Sequence, residues 1–213
     1  MNVKLISVTQ APEMSPEELI VCTARVSNPE NQYNHETAPR LINYLIKHKH
    51  WSPFEMVDMT VEIETSRGIA QQILRHRSFS FQEFSQRYSS ASKIEPIELR
   101  RSGATNRQSS TDAMDSDEAI EAVDLAITTC LKAYKDLLEI GVARECARFV
   151  LPIATQTRIY MKGSIRSWIH YLQIRTDEHT QLEHRLIAME IQKVFNELFP
   201  NISKALNHEK TTM

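Results

Sequence analysis

Between Phe54 and Ile63 the chain alternates: Phe54, Met56, Val57, Met59, Val61 and Ile63 mostly interleave with Glu55, Asp58, Thr60 and Glu62. A period of two sends successive side chains to opposite faces, so this run predicts a half-buried strand. Such a strand needs a cover for its apolar face, and helical patterns surround it. Ser15-Pro16-Glu17-Glu18 has the capping-box spacing with proline at the first helical position, which predicts a helix running to about Val26. Further helices are expected over 36–47, from a Ser66 cap through Arg75, over 117–140, 143–150 and 165–176 after Ser164, and over 178–198. KLISVTQ (4–10) and RIYMKG (158–163) read as strands. Ser102 to Glu118 is polar and aperiodic, the pattern of a surface loop or linker. The chain holds only four glycines and no GxGxxG or GxxxxGK[ST], which argues against a Rossmann or P-loop site.

Charge narrows the function classes. The 213 residues carry a net charge of -2, so no global basic field draws the chain to nucleic acid or an anionic membrane. No run approaches the roughly eighteen apolar residues of a membrane span, and MNVKLISVTQ lacks a signal peptide's apolar core. Cys22, Cys130 and Cys146 are far apart and form no CxxC pair. The expectation is a reduced, cytoplasmic protein with no disulfide framework and no cysteine zinc site.

Basic character is instead local. RHRSFSFQEFSQRY (75–88) concentrates arginines, serines and a glutamate beside three phenylalanines. Two readings are open: a nucleic-acid grip using Phe79, Phe81, Phe84 and Tyr88 as stacking groups, or a pocket for a small phosphorylated, ring-bearing ligand. Gln72, Arg75 and His76 fall at helical spacing on one face, and an arginine fork fits phosphate or carboxylate bidentately. Arg144 and Arg148 form a second such pair, and Arg166 and His170 a third. Arg175 lies half a turn round from Arg166 on the same helix, which points to sites assembled between subunits. HTQLEH (179–184) is one residue longer than the HxxEH metal pattern and HExxH is absent, so no metal is expected.

These residues resemble the flavin-dependent thymidylate synthase (ThyX) family. Arg75-His76-Arg77, seven residues, then Ser85 matches its RHR-x7-S signature, with Glu83, Arg87 and Tyr88 fitting the longer form. The likeness continues through Ala24-Arg25-Val26-Ser27, His50 with Ser52-Pro53-Phe54-Glu55, Gln72, Arg144-Glu145 with Arg148 and Leu151-Pro152, Arg166, His170, and Arg175 with His179 and Glu183. It covers nearly the whole chain except the polar stretch near 102–118. The resemblance implies a single domain over 1–213 of the ThyX-like α+β fold, a mixed or antiparallel sheet flanked by helices, assembled as a homotetramer. It implies a reaction that converts dUMP to dTMP with 5,10-methylenetetrahydrofolate as carbon donor and FAD reduced by NADPH. By the same resemblance, Ser27, Ser52, Glu55, Arg75, His76, Arg77, Glu83, Ser164, Arg166 and His170 would line the flavin site. Gln72, Arg75, Glu83, Ser85, Gln86, Arg87, Arg148 and Arg175 would hold dUMP, with Arg175 catalytic. Gln82 and Ser164 stand where many members have asparagine. No cysteine has the Pro-Cys-His setting of the other thymidylate synthase class, in keeping with chemistry that forms no covalent enzyme adduct.

Overall fold

The computed structural model describes residues 1–90, 93–104 and 110–211, with side chains in the last helix described to Asn207. Strands β1 (Asn2–Val8), β2 (Asp58–Ser66), β3 (Ser80–Glu83) and β6 (Gln156–Ser164) form a four-stranded sheet in the order β1-β2-β6-β3. β4 (Arg100–Ser102) pairs antiparallel with β5 (Ser110–Ala113). The helices are α1 (Pro16–Ala24), α2 (Ala38–Lys47), α3 (Arg67–Ile73), α4 (Asp117–Glu139), α5 (Arg144–Ala147), α6 (Ile165–Arg175), α7 (Leu182–Leu198) and α8 (Pro200–Thr211). This is the expected α+β class.

The chain forms two compact units. One contains Glu64–Arg75 and Glu83–Ile159 with Met1; the other contains Asn2–Ile63, His76–Gln82 and Tyr160–Met213. Along β2 burial alternates residue by residue, with Met59, Val61, Ile63 and Thr65 inward. In the second unit α6 packs on α7, α7 on α8 and α2 on α8. Trp168, Tyr171, Phe54, Phe195 and Phe199 are fully buried there, and each such ring contributes roughly 1.5–3 kcal/mol through burial.

Local signals set the helix ends. Ser15 accepts from the Glu18 amide while Glu18 accepts from the Ser15 amide, completing the expected box. Ser66 and Ser164 likewise cap α3 and α6. Glu17, buried on α1, accepts from the Asn201 and Ile202 amides at 2.9 Å each and so caps α8. Burial raises the Glu17 carboxyl's pKa, and these donors partly oppose that.

Several expectations shift. The alternation begun at Phe54 is broken: Ser52–Glu55 is a 3₁₀ turn with Pro53 in its first turn and Phe54 as buried anchor, and the strand starts at Asp58. α3 stops at Ile73, so Arg75 and His76 follow its cap instead of sharing a helix face with Gln72. Glu83 ends a short strand of four residues that the sequence gives no sign of. α7 begins at Leu182 because Asp177 takes the His179 amide at 2.9 Å, a turn that competes with helix. The described residues of the polar stretch are mostly exposed, as its composition implies, yet 100–102 and 110–113 pair as strands; its centre, 105–109, lies outside the described residues. α8 is an element the sequence reading does not anticipate.

Candidate active site

In the second unit the site begins with the 3₁₀ turn. Trp51 stacks obliquely on Phe54, ring centroids 5.7 Å apart, and Glu55 is left exposed. α6 then supplies the opposite wall. Its amide at Ile165 bonds the Val57 carbonyl at 2.9 Å, and Trp168 Nε1 donates to the Met59 carbonyl at 2.9 Å, so the helix is locked to β2 and its neighbour turn. Its outer positions, Arg166 and His170, remain exposed one turn apart. Arg166 ion-pairs with Glu55. Ser167 Oγ donates to the Ser78 carbonyl at 3.3 Å, drawing in the segment that follows the RHR triplet. Trp51, Glu55, Ser78, Arg166, Ser167 and His170 line a cleft of about 470 Å³, joined by Ile169 and Gln173. Ser164 is spent on the helix cap. Ser27 and Arg77 are exposed.

Deeper in that unit Arg175 Nε donates to His76 Nε2 at 2.9 Å. Among the described residues this is the only side-chain hydrogen bond Arg175 makes, so its two terminal nitrogens remain for other partners. Burial, then the charge of Arg175, then His170, hold the His76 imidazole down at about 4. His76 therefore stays neutral and can accept from Arg175.

The first unit carries the other residues. Glu83 Oε1 accepts from Thr157 Oγ1 at 2.9 Å and from Arg67 Nη1 at 3.2 Å, partners the sequence reading missed because they lie far along the chain. The Phe84 amide bonds the Arg158 carbonyl at 2.8 Å and the Tyr88 amide bonds the Ser85 carbonyl at 3.1 Å, so β3 runs into a tight turn. That turn exposes Ser85 and Arg87 and buries Gln86, whose Nε2 has no hydrogen-bond partner among the described residues. A buried donor without an acceptor costs about 1–3 kcal/mol. Ser85, Arg87, Tyr88, Ala143, Arg144 and Glu145 line a cleft of about 370 Å³. Arg87 pairs with Glu145 at 3.5 Å, both exposed, a contact worth at most about 1 kcal/mol and easily exchanged for an anion. Arg148 is half-buried and donates Nε to the Glu145 carbonyl at 3.3 Å instead of pairing with its carboxylate. Gln72 is half-buried and Arg75 exposed.

The residues assigned by resemblance thus divide. Ser27, Ser52, Glu55, His76, Arg77, Ser164, Arg166, His170 and Arg175 belong to one unit; Gln72, Arg75, Glu83, Ser85, Gln86, Arg87 and Arg148 belong to the other. No group of three His, Cys, Asp or Glu side chains is placed to hold a metal among the described residues, and no described helix is long and apolar enough to cross a membrane. Cys22, Cys130 and Cys146 are free.

Comparison with known proteins gives this arrangement a context. A family described as "Thymidylate synthase complementing protein" matches residues 4–201. The chain is 50% identical over 215 residues to a probable flavin-dependent thymidylate synthase of Paramecium bursaria Chlorella virus 1, covering 97% of this chain and 99% of the relative. It is 49% identical over 218 residues to a flavin-dependent thymidylate synthase of Synechocystis sp., with the same coverage. Among solved structures it superposes on a UMP/dUMP methylase, PolB, of Streptomyces cacaoi bound with 5-Br dUMP, with a TM-score of 0.85 at 27% identity over 97% of this chain and 94% of that one.

Proposed function

The chain belongs to the thymidylate synthase complementing protein family, and on that premise we propose that it is a flavin-dependent thymidylate synthase that methylates dUMP to dTMP with FAD as cofactor, 5,10-methylenetetrahydrofolate as carbon donor and NADPH as reductant. Working as a homotetramer in the cytoplasm, it acts on free nucleotides, neither nucleic-acid polymers nor membranes. The observation that carries the reading is the pairing of a charged guanidinium with a neutral imidazole at Arg175 and His76.

With its Nε engaged by His76, Arg175 can offer its terminal N–H groups to the uracil ring. A fixed cation there stabilises negative charge on the pyrimidine and makes C5 more nucleophilic, with no need for an enzyme thiol. Ser85, Arg87 and Arg148 suit the phosphate, since arginine forks match its oxygens bidentately. Gln86 Nε2, which has no hydrogen-bond partner among the described residues, gives the nucleotide a donor. Gln72, Arg75 and Glu83 complete the nucleotide contacts, Glu83 being oriented by Arg67 and Thr157.

The cleft of about 470 Å³ and its donor set fit a flavin's carbonyl- and nitrogen-edged ring. Arg166, His170, Glu55 and Ser52 would hold it with His76, with Ser27, Arg75, Arg77, Glu83 and Ser164 as further contacts. Bound flavin would supply the hydride that reduces the transferred one-carbon unit. Arg166 must then release or share Glu55, and its exposed position makes that exchange cheap.

The test is direct. Purified protein should show flavin absorbance that NADPH bleaches, and should release dTMP from dUMP and the folate. A preparation that stays colourless and refuses added FAD would sink the proposal. Replacing Cys22, Cys130 and Cys146 together should leave turnover intact; loss without unfolding would overturn the non-covalent chemistry.

A further inference from the structure

One buried polar pair has no task in the site above. Tyr171 on α6 and His184 on α7 are both fully buried, and the tyrosine hydroxyl lies 3.1 Å from His184 Nε2. Burial pushes the phenol's pKa up, and burial with Arg175 and His76 pushes the His184 imidazole down to about 3, so the contact joins a neutral hydroxyl to a neutral ring. Hydroxyl and imidazole nitrogen each satisfy what the other would leave stranded.

The pair stands directly behind the arginine anchor. His76 meets Tyr171 edge-to-face, with centroids 4.9 Å apart and planes at 74°. It meets His184 at 6.3 Å and 88°. His76 then presents Nε2 to Arg175. Arg175 is the last residue of α6, and its side-chain hydrogen bond runs out of the helix to His76, which helps set the direction of the guanidinium.

We propose that Tyr171 and His184 are positioning residues for Arg175: their hydrogen bond ties α6 to α7 and fixes the tyrosine ring, against which His76 packs with Nε2 turned to the guanidinium. The inference rests on the reading of Arg175 as a dUMP ligand. A tyrosine free to roll would let the imidazole tilt, and the arginine's terminal nitrogens would sweep a wider arc. Phenylalanine at 171 keeps the ring and loses only the tie.

The experiment titrates dUMP into the flavin-loaded full chain by calorimetry, comparing the unaltered protein with Tyr171→Phe, His184→Leu and His184→Gln. Tyr171→Phe and His184→Leu should weaken dUMP binding about fivefold to tenfold, the equivalent of one neutral hydrogen bond, with flavin content per chain unchanged. His184→Gln, whose amide oxygen can accept from the hydroxyl, should recover to within about twofold. Unchanged dUMP affinity in both weakened variants, alongside a lower thermal midpoint, would reduce the pair to core packing and overturn the proposal. A glutamine variant as weak as the leucine variant would overturn the hydrogen bond's part in it. If His184→Leu does not fold, Tyr171→Phe decides alone, because it removes a single atom. Unaltered protein that takes up flavin but no dUMP would instead strike at the proposed function.

Discussion

Arg175 closes α6 with its Nε–H donated to His76 Nε2 at 2.9 Å, across 99 positions of sequence. That bond needs a neutral imidazole, because protonation would turn Nε2 into a donor facing a cation. Burial and the guanidinium together secure that neutrality. The two residues therefore support one another: the arginine adds to burial in keeping the histidine neutral, and the neutral histidine aims the arginine.

Arg175→Ala should keep its flavin and lose dTMP formation by on the order of 10²- to 10³-fold, the usual consequence of removing one preorganised charge-stabilising donor. Flavin absorbance and single-turnover product formation measure the two separately. Its removal should also raise the His76 pKa, visible in the imidazole's NMR titration. Full turnover in this variant would refute the role assigned to Arg175.

Acid should destabilise the protein through the same ring cluster. An unfolded histidine titrates near about 6.5. The folded values are about 4 for His76 and about 3 for His184. Between those limits the unfolded chain binds protons that the folded chain refuses, so stability complete above the unfolded value is lost as pH falls toward the folded ones. Each histidine can add a slope of up to about 1.4 kcal/mol per pH unit. Urea midpoints should fall from about pH 7 to about pH 5, and His184→Gln should flatten the fall. An equal slope in that variant would exclude His184 as a source.

Much of this architecture was legible in the sequence, and the failures have causes. Ser15, Ser66 and Ser164 announce helix starts because a cap is a local event of a few residues. β3 escaped notice because four residues cannot display a period, and its companion β6 lies more than seventy positions later. Phe54 continues the strand's apolar alternation, yet Pro53 turns the chain before it. At the site, arginines and the RHR triplet stood out by type and spacing. Tyr171 with His184, and Glu83 with Arg67 and Thr157, are tertiary pairings with no local pattern to betray them.

Gly163→Ala should damage the fold from within β6. A Cβ there would fall inside the van der Waals surface of the Phe79 ring, which is itself buried against Trp168 at a centroid distance of 4.7 Å. Overpacking of this kind costs about 1–3 kcal/mol. Chemical denaturation should show that loss, and adding Phe79→Leu should return part of it. A Gly163→Ala protein of unchanged stability would mean that the ring moves aside freely.

Lys49 offers a stabilising change. α4 and α2 both end in the same motif. After α4 the Val142 amide reaches the Leu137 carbonyl at 2.9 Å and the Gly141 amide reaches Leu138 at 3.1 Å, with Gly141 at φ 90°. After α2 the His50 amide reaches Leu45 at 2.8 Å and the Lys49 amide reaches Ile46 at 3.0 Å, with Lys49 at φ 56°. A side chain in that left-handed region costs roughly 1–2 kcal/mol, and glycine avoids it while giving back part of the gain as unfolded-chain entropy. Lys49→Gly should therefore raise stability by about 0.5–1 kcal/mol, and Gly141→Ala should lower it by a similar amount. The turn at Lys49 feeds Trp51 and the Ser52–Glu55 segment, so flavin uptake should persist in the glycine variant, whose backbone path is the same. A drop in its unfolding midpoint would show that Lys49 makes a compensating contact stronger than the strain it bears.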